Sequence, residues 1–304
     1  MAERFSLKIA DLTVALISED PQMHIVLEGA TRAFQVEGRS MLHPYGMEPA
    51  ADMTVRAAWG ELPEATGGEK VFDSGSLWQL YRVNGTYLFR FASPALGPHP
   101  YKVASFNKDF TVGEVLLHRD SFSRDSAVYP LEYPLDELLI VNWLARGRGV
   151  ELHSSAVVDT AGNGHLFVGH SGAGKTTMAR LWQNRDGVRI LSDDRTIVRK
   201  VDGRFWMYGT PWQSAPEFTS PDRAPLARVH FLKHGTANEL LPQTATEAVG
   251  RLFAGSFLPF YSRDALEYSL GFLEELVGAV PCQELRFTPD DKVVAFIEGL
   301  NTGR

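Results

Sequence analysis

The sequence predicts an α/β chain, α+β overall, with a β-rich first part and an alternating strand–helix second part. Three observations carry this. Residues 1 to about 128 are a run of short segments of alternating polarity, broken by turn dipeptides. Beyond residue 134, helix-like stretches alternate with short apolar runs. One of those runs, residues 165–168, passes through a glycine-rich loop straight into a helix-like segment.

The bulk properties set the frame. A chain of 304 residues with 44% apolar and 22% charged side chains is ordered and globular, and long enough for two parts with their own cores. Net charge is −7 and no Lys/Arg-dense run occurs, which argues against nucleic acid or a polybasic membrane contact as partner. The opening MAERFSLKIADL has charges where a signal peptide needs an apolar core. No run approaches about 18 apolar residues, so a cytoplasmic location is expected. The one cysteine, Cys282, lies in an apolar run and is expected to be a buried thiol.

In the first domain, 1–128, strands are expected over 5–9, 12–17, 25–27, 33–36, 53–58, 77–82, 86–91, 101–106 and 111–117, in a mostly antiparallel sheet. Asn84-Gly85 between WQLYRV and TYLFRF signals a type I′ hairpin. Residues 106–110 suggest another tight reversal, and residues 63–68 and 94–100 are loops. His24, His43, His99 and His118 lack metal-ligand spacing. Trp59, Trp78, Tyr81, Tyr87, Phe89 and Phe91 fall at strand period and are expected in the core. No catalytic constellation is visible, which leaves partner binding or homo-oligomerisation as this domain's open roles.

The second domain, 129–304, begins with a helix after Pro134, with Asp136 and Glu137 on its positive end and Arg146-Gly147-Arg148-Gly149 as its stop. It is apolar on more than one face, which implies burial against a domain or a subunit. A hairpin follows, strand 152–158, turn 159–164 and strand 165–168, whose register puts His153 opposite about His170. Later expectations are a helix 175–182, a strand 189–192, a hairpin about Asp202-Gly203, a strand 227–232, helices 243–253 and 264–276, a strand 283–287 and a helix 290–300.

The chemistry centres on HLFVGHSGAGKTTMARLW. Gly169, Gly174, Lys175 and Thr176 complete G-x-x-x-x-G-K-[ST] between a strand and a helix. In that context the backbone N–H groups of Gly169, Ser171, Gly172, Ala173, Gly174, Lys175, Thr176 and Thr177 can surround the phosphates of a nucleotide. Lys175 adds a full charge and the Thr176 hydroxyl can hold Mg²⁺. One short strand later come Asp193 and Asp194. One carboxylate can hold Mg²⁺ opposite Thr176, and the other can accept the proton of an attacking hydroxyl. For His153 two readings stand, a hydrogen-bond partner of that carboxylate or a satisfied core histidine.

The segments ELHSSAVV, VGHSGAGKTT and LSDDR, in that order, resemble the HPr kinase/phosphorylase family, whose catalytic domain is related to ATP-dependent phosphoenolpyruvate carboxykinase. YGTPW, FLKHGTAN and VPCQELRF are similar to segments of its serine-kinase relatives, so the likeness spans about residues 135–300. The resemblance implies a P-loop domain with a mixed sheet and flanking helices, using ATP and Mg²⁺. It implies Asp193 as the base for an acceptor serine, His153 as its contact, and Asp194 with Thr176 as the metal site. The chain has Thr176-Thr177 where the family has Ser-Glu, and GTPWQSAPEF where the phosphorolysis signature would stand. The expected activity is transfer of the γ-phosphoryl group to a hydroxyl, a serine of a protein or peptide. Phosphorolysis and HPr as substrate stay open. A small-molecule kinase of the shikimate or gluconate type, or a non-catalytic nucleotide-binding regulator, are the alternatives. The first would place the loop strand parallel to both neighbours.

Overall fold

A computed structural model describes residues 3–36, 51–63, 68–97, 99–123, 127–215 and 217–300. His43, most of the 63–68 loop, Pro98 of the 94–100 loop and Pro216 of GTPWQSAPEF lie outside them. The chain is a mixed α/β protein whose described residues include two nine-stranded sheets, and it divides into compact units Met1–Trp143 and Leu144–Arg304. The division falls at the end of the helix Leu135–Leu144, where the sequence suggested one ahead of it.

In the first unit the sheet runs, in spatial order, through Gln35–Val36, Glu3–Ile9, Leu12–Ser18, Met53–Trp59, Val112–Leu117, Lys102–Phe106, Thr86–Phe91, Trp78–Val83 and Glu69–Asp73. It is antiparallel except about Met53–Trp59, which is parallel to both neighbours. Asn84 and Gly85 both take positive φ, 49° and 80°, as the type I′ turn requires, and Val83 pairs with Thr86. Segment 25–27 contributes only the two-residue strand His24–Ile25, and 33–36 divides between the end of a 3₁₀ turn, Gly29–Phe34, and the strand Gln35–Val36. Of the six expected core aromatics, Phe89 and Phe91 are buried, while Trp59, Trp78, Tyr81 and Tyr87 are half-buried. The helix Leu135–Leu144 is buried almost all round, in keeping with its apolar circumference. Its Leu139 and Ile140 line the same narrow apolar gap as Leu7, Ile9, Val14 and Met53.

In the second unit, strand Gly164–Val168 is antiparallel to Val150–Val158 on one side and parallel to Arg223–His234 on the other. Val150–Val158 also pairs with Arg189–Ser192 and Arg195–Val201. Arg195–Val201 pairs with Arg204–Tyr208 across Asp202-Gly203, and that strand pairs back to the start of Arg223–His234. Five strands therefore close a circuit. Cys282–Phe287 and Glu239–Pro242 extend the sheet beyond it.

Helices cover both faces, because the strands alternate. Leu166 and Val168 point to a core completed by Ala248 and Leu252 of helix Ala245–Ala254 and by Leu273 and Leu276 of helix Arg263–Ala279. Phe167 points the other way, to Met178 and Trp182 of helix Lys175–Gln183 and to Val293, Val294 and Ile297 of helix Lys292–Gly299. Each such fully buried large side chain contributes about 2 kcal/mol of apolar burial. Cys282 is only half-buried, and burial pushes its thiol up to about 12, which keeps it protonated. No helix among the described residues is long and apolar enough to cross a membrane.

Candidate functional site

The strand Gly164–Val168 delivers the glycine-rich loop to the rim of the second sheet. Gly174 sits at φ 102°, in the left-handed region, and a Cβ there would lie 2.8 Å from Phe287 Cζ. Only glycine makes that turn and lets the helix start at Lys175. No side chain caps this helix N-terminus, so its N–H groups and dipole face the loop. Ser171, Gly172 and Thr177 are exposed, and Ala173 is buried as the loop's anchor. Lys175 folds back, its Nζ donating to Gly169 O at 3.0 Å and His170 O at 3.2 Å. Burial lowers its pKa, opposed by the Asp194 and Asp193 carboxylates nearby. His234, at the end of the long strand, lies 3.2 Å from Gly172 O and supports the loop from behind.

The aspartate pair stands at a corner that Ser192 builds. Its hydroxyl accepts the N–H groups of Asp194 and Arg195, which ends one strand and starts the next. Ser154 N–H then donates to Asp194 O at 3.0 Å. The hairpin pairs Ser154 with Val168, so His153 stands opposite Gly169, one residue short of the expected His170. That brings His153 beside the second aspartate.

Here the expected partners are exchanged. His153 Nε2 lies 3.0 Å from Asp194 Oδ1, where contact with Asp193 was expected. The Thr176 hydroxyl donates to Asp193 Oδ2 at 3.0 Å, where pairing with Asp194 was expected. The reason is the corner itself. Successive residues there point to opposite sides, and the register of Val150–Val158 fixes which side faces His153. The Asp194 carboxyl pKa is lowered below the ordinary carboxylate value, chiefly by the His153 hydrogen bond and further by Arg195 and Lys175, against the cost of burial. Arg195 also bonds Asp194 directly, stacks 4.8 Å over Phe257 and lies 3.9 Å from buried Glu151. Asp193 is fully buried, and its Oδ1 accepts Ser214 N–H at 3.1 Å and Ala215 N–H at 3.4 Å.

Ser214, Arg195, Glu151 and His234 went unnoticed in the sequence. Ser214 reaches the site because Gly209 lets GTPWQS lie flat on the corner. A Cβ at Gly209 would sit 2.0 Å from Ser220 O and 2.5 Å from Leu191 O. Thr210 Oγ1 then donates to Arg195 O at 2.8 Å. No spacing rule leads from the loop to this segment. The GTPW string was the only available signal.

The donor set suits Mg²⁺, which takes a hydroxyl, one or two carboxylates, water and phosphates. Among the described residues no group of three or more His, Cys, Asp or Glu could hold a metal by itself. An uncapped helix N-terminus with Lys175 beside it suits phosphate. Clefts of about 390 Å³ beside Trp78 and about 440 Å³ beside Tyr268 open elsewhere, and no loop residue lines either. No family model and no curated protein matches this chain.

Proposed function

We propose that the chain is an ATP- and Mg²⁺-dependent kinase of the HPr-kinase-like type, its second unit a P-loop domain related to phosphoenolpyruvate carboxykinase. The acceptor is a hydroxyl, a serine of a protein or peptide, and the setting is cytoplasmic. One observation carries the reading. Thr176, Asp193, Asp194 and His153 converge beside a glycine-rich loop whose strand is antiparallel on one side. That flank also speaks against the small-molecule kinase alternative, which calls for parallel neighbours on both sides.

The division of labour follows the contacts. Loop N–H groups and Lys175 bind the phosphates. Thr176 and Asp193 would hold Mg²⁺, since their oxygens adjoin. Mg²⁺–ATP, when bound, supplies the phosphoryl group with its charge partly neutralised. Asp194 takes the proton of the acceptor hydroxyl, and His153 and Arg195 fix its direction. Asp193 suits that task less well, because it is fully buried, whereas the Asp194 side chain is partly exposed.

The test is incubation with γ-labelled ATP, Mg²⁺ and candidate proteins and peptides, followed by location of the label. Asp194→Asn is expected to cut transfer by about 10³-fold or more while ATP affinity stays within about threefold. Asp193→Asn is expected to raise the Mg²⁺ requirement instead. Near-normal transfer by Asp194→Asn rejects the assigned base. A wild type that binds no ATP rejects the reading as a whole.

A further inference from the structure

Three oxygens from distant parts of the second unit meet at the mouth of the loop. Asp193 Oδ2 is 3.0 Å from Thr176 Oγ1 and 2.5 Å from Ser214 Oγ, and the two hydroxyls are 3.4 Å apart. Six oxygens at about 2.1 Å around Mg²⁺ place neighbouring ones about 3 Å apart. The three edges scatter about that value. Their mean, rather than each edge, agrees with one face of a magnesium octahedron.

We infer that Ser214 is a direct Mg²⁺ ligand, the third protein oxygen beside Thr176 and Asp193. This rests on the nucleotide-site reading above and adds to it a residue that neither the loop motif nor the aspartate pair supplies. The anchoring of the carboxylate supports it. Asp193 Oδ1 is taken by Ser214 N–H and Ala215 N–H, so the peptide backbone fixes the carboxylate and leaves Oδ2 to the two hydroxyls. The exposures support it as well. Asp193 is fully buried, Thr176 half-buried and Ser214 exposed, so the face opens to solvent on the serine side. On that side Ser214 would leave the positions not taken by protein oxygens open to water or to phosphate oxygens. Two neutral hydroxyls and one carboxylate form a hard, weakly charged set, which suits Mg²⁺ held jointly with a nucleotide rather than alone.

The probe is Mn²⁺, which takes the same oxygen donors and is read by electron paramagnetic resonance, in the presence of a non-hydrolysable ATP analogue. The full chain is expected to bind Mn²⁺, and Ser214→Ala to bind it about tenfold or more weakly, with the analogue's metal-free affinity unchanged. Ser214→Cys is expected to trade Mn²⁺ for Cd²⁺ and to show a sulfur-to-cadmium charge-transfer band in the ultraviolet. The wild type, with Cys282 as its only thiol, is the control for that band. A purely structural serine would give no band. Equal Mn²⁺ affinity in wild type and Ser214→Ala, or no band in Ser214→Cys, overturns the ligation and leaves the kinase reading standing. A wild type that binds neither analogue nor Mn²⁺ overturns both. Phosphate found on Ser214 after incubation with ATP also overturns it, because the hydroxyl would then be an acceptor.

Discussion

Beneath the glycine-rich loop lies a buried chain of polar rings that takes no part in the proposed chemistry. His165 Nε2 is 3.3 Å from Asp159 Oδ2, and His165 Nδ1 is 3.2 Å from His230 Nε2. A carboxylate only accepts, so the neutral arrangement has His165 donating to Asp159 and His230 donating to His165. His230 Nδ1 is then a buried acceptor without a partner among the described residues. Burial, with His165 and Arg228 nearby, lowers the His230 pKa well below its ordinary value. The native state therefore resists a proton that the unfolded chain takes up below about pH 6.5. Stability is full above that pH and falls as pH drops, by about 1.4 kcal/mol per unit. Asp159 adds a second window. Burial opposes its ionisation, but hydrogen bonds from His165 and Asn163 outweigh that and hold it at about 2, so its contribution fades below about pH 4. Urea unfolding at pH 7 and pH 5 should show the wild type losing about 2 kcal/mol and His230→Gln losing less than half of that. Equal losses would mean that His230 is not the group that titrates.

At the scale of elements, the segment Gly209–Ala215 depends on one close approach. Gly209→Ala puts a methyl group against the carbonyls of Ser220 and Leu191, and Leu191 belongs to the strand Arg189–Ser192, which pairs with Val150–Val158. A loss of about 3 kcal/mol is expected, together with weaker Mn²⁺ binding, because Ser214 is lifted off Asp193. Unchanged metal affinity in a folded Gly209→Ala protein would show that the segment is held by other means. What the sequence made legible follows the same line of locality. Asn84-Gly85, Asp202-Gly203 and the loop glycines specify turns within a few residues, and each turn forms where the sequence puts it. The helix expected over 243–253 starts two residues later, at Ala245, because Thr244 and Glu247 form a reciprocal cap there that went unnoticed in the sequence. Short strands such as Glu69–Asp73 and Ser256–Phe257 stayed hidden, since their pairing partners alone define them. The exchange of Asp193 and Asp194 stayed hidden for the same reason. It is decided by the pairing of Arg195 with His153, some forty residues away.

For the molecule as a whole, the proposed chemistry is confined to the second unit. Hydrogen exchange with and without Mg²⁺ and a non-hydrolysable ATP analogue should show slowed amides at Gly169–Thr177 and around Ser214. Residues 3–143 should stay within error of the free protein. Protection in the first sheet would give that unit a nucleotide contact that its side chains do not suggest. The two units also differ in what they leave for a partner. The first carries the half-buried aromatics Trp59, Trp78, Tyr81 and Tyr87, and its buried Lys102 pairs with Glu132. Its division from the second at Trp143 leaves the connecting helix with the β-rich unit.

The closed circuit of five strands bears on the order in which this protein comes together. The loop strand has one partner close by in the chain, Val150–Val158 across a five-residue turn, and one far off, with Val168 paired to Phe231. The first pairing costs little loop entropy and forms early, whereas the second must wait for everything between to find its place. Until then, the hairpin holds the glycine-rich loop at one edge only, and His234 is not yet behind Gly172. On the proposed reading, the competence to hold phosphate belongs to the finished ring. In refolding, nucleotide affinity should return with the slowest phase, after the bulk of the secondary structure.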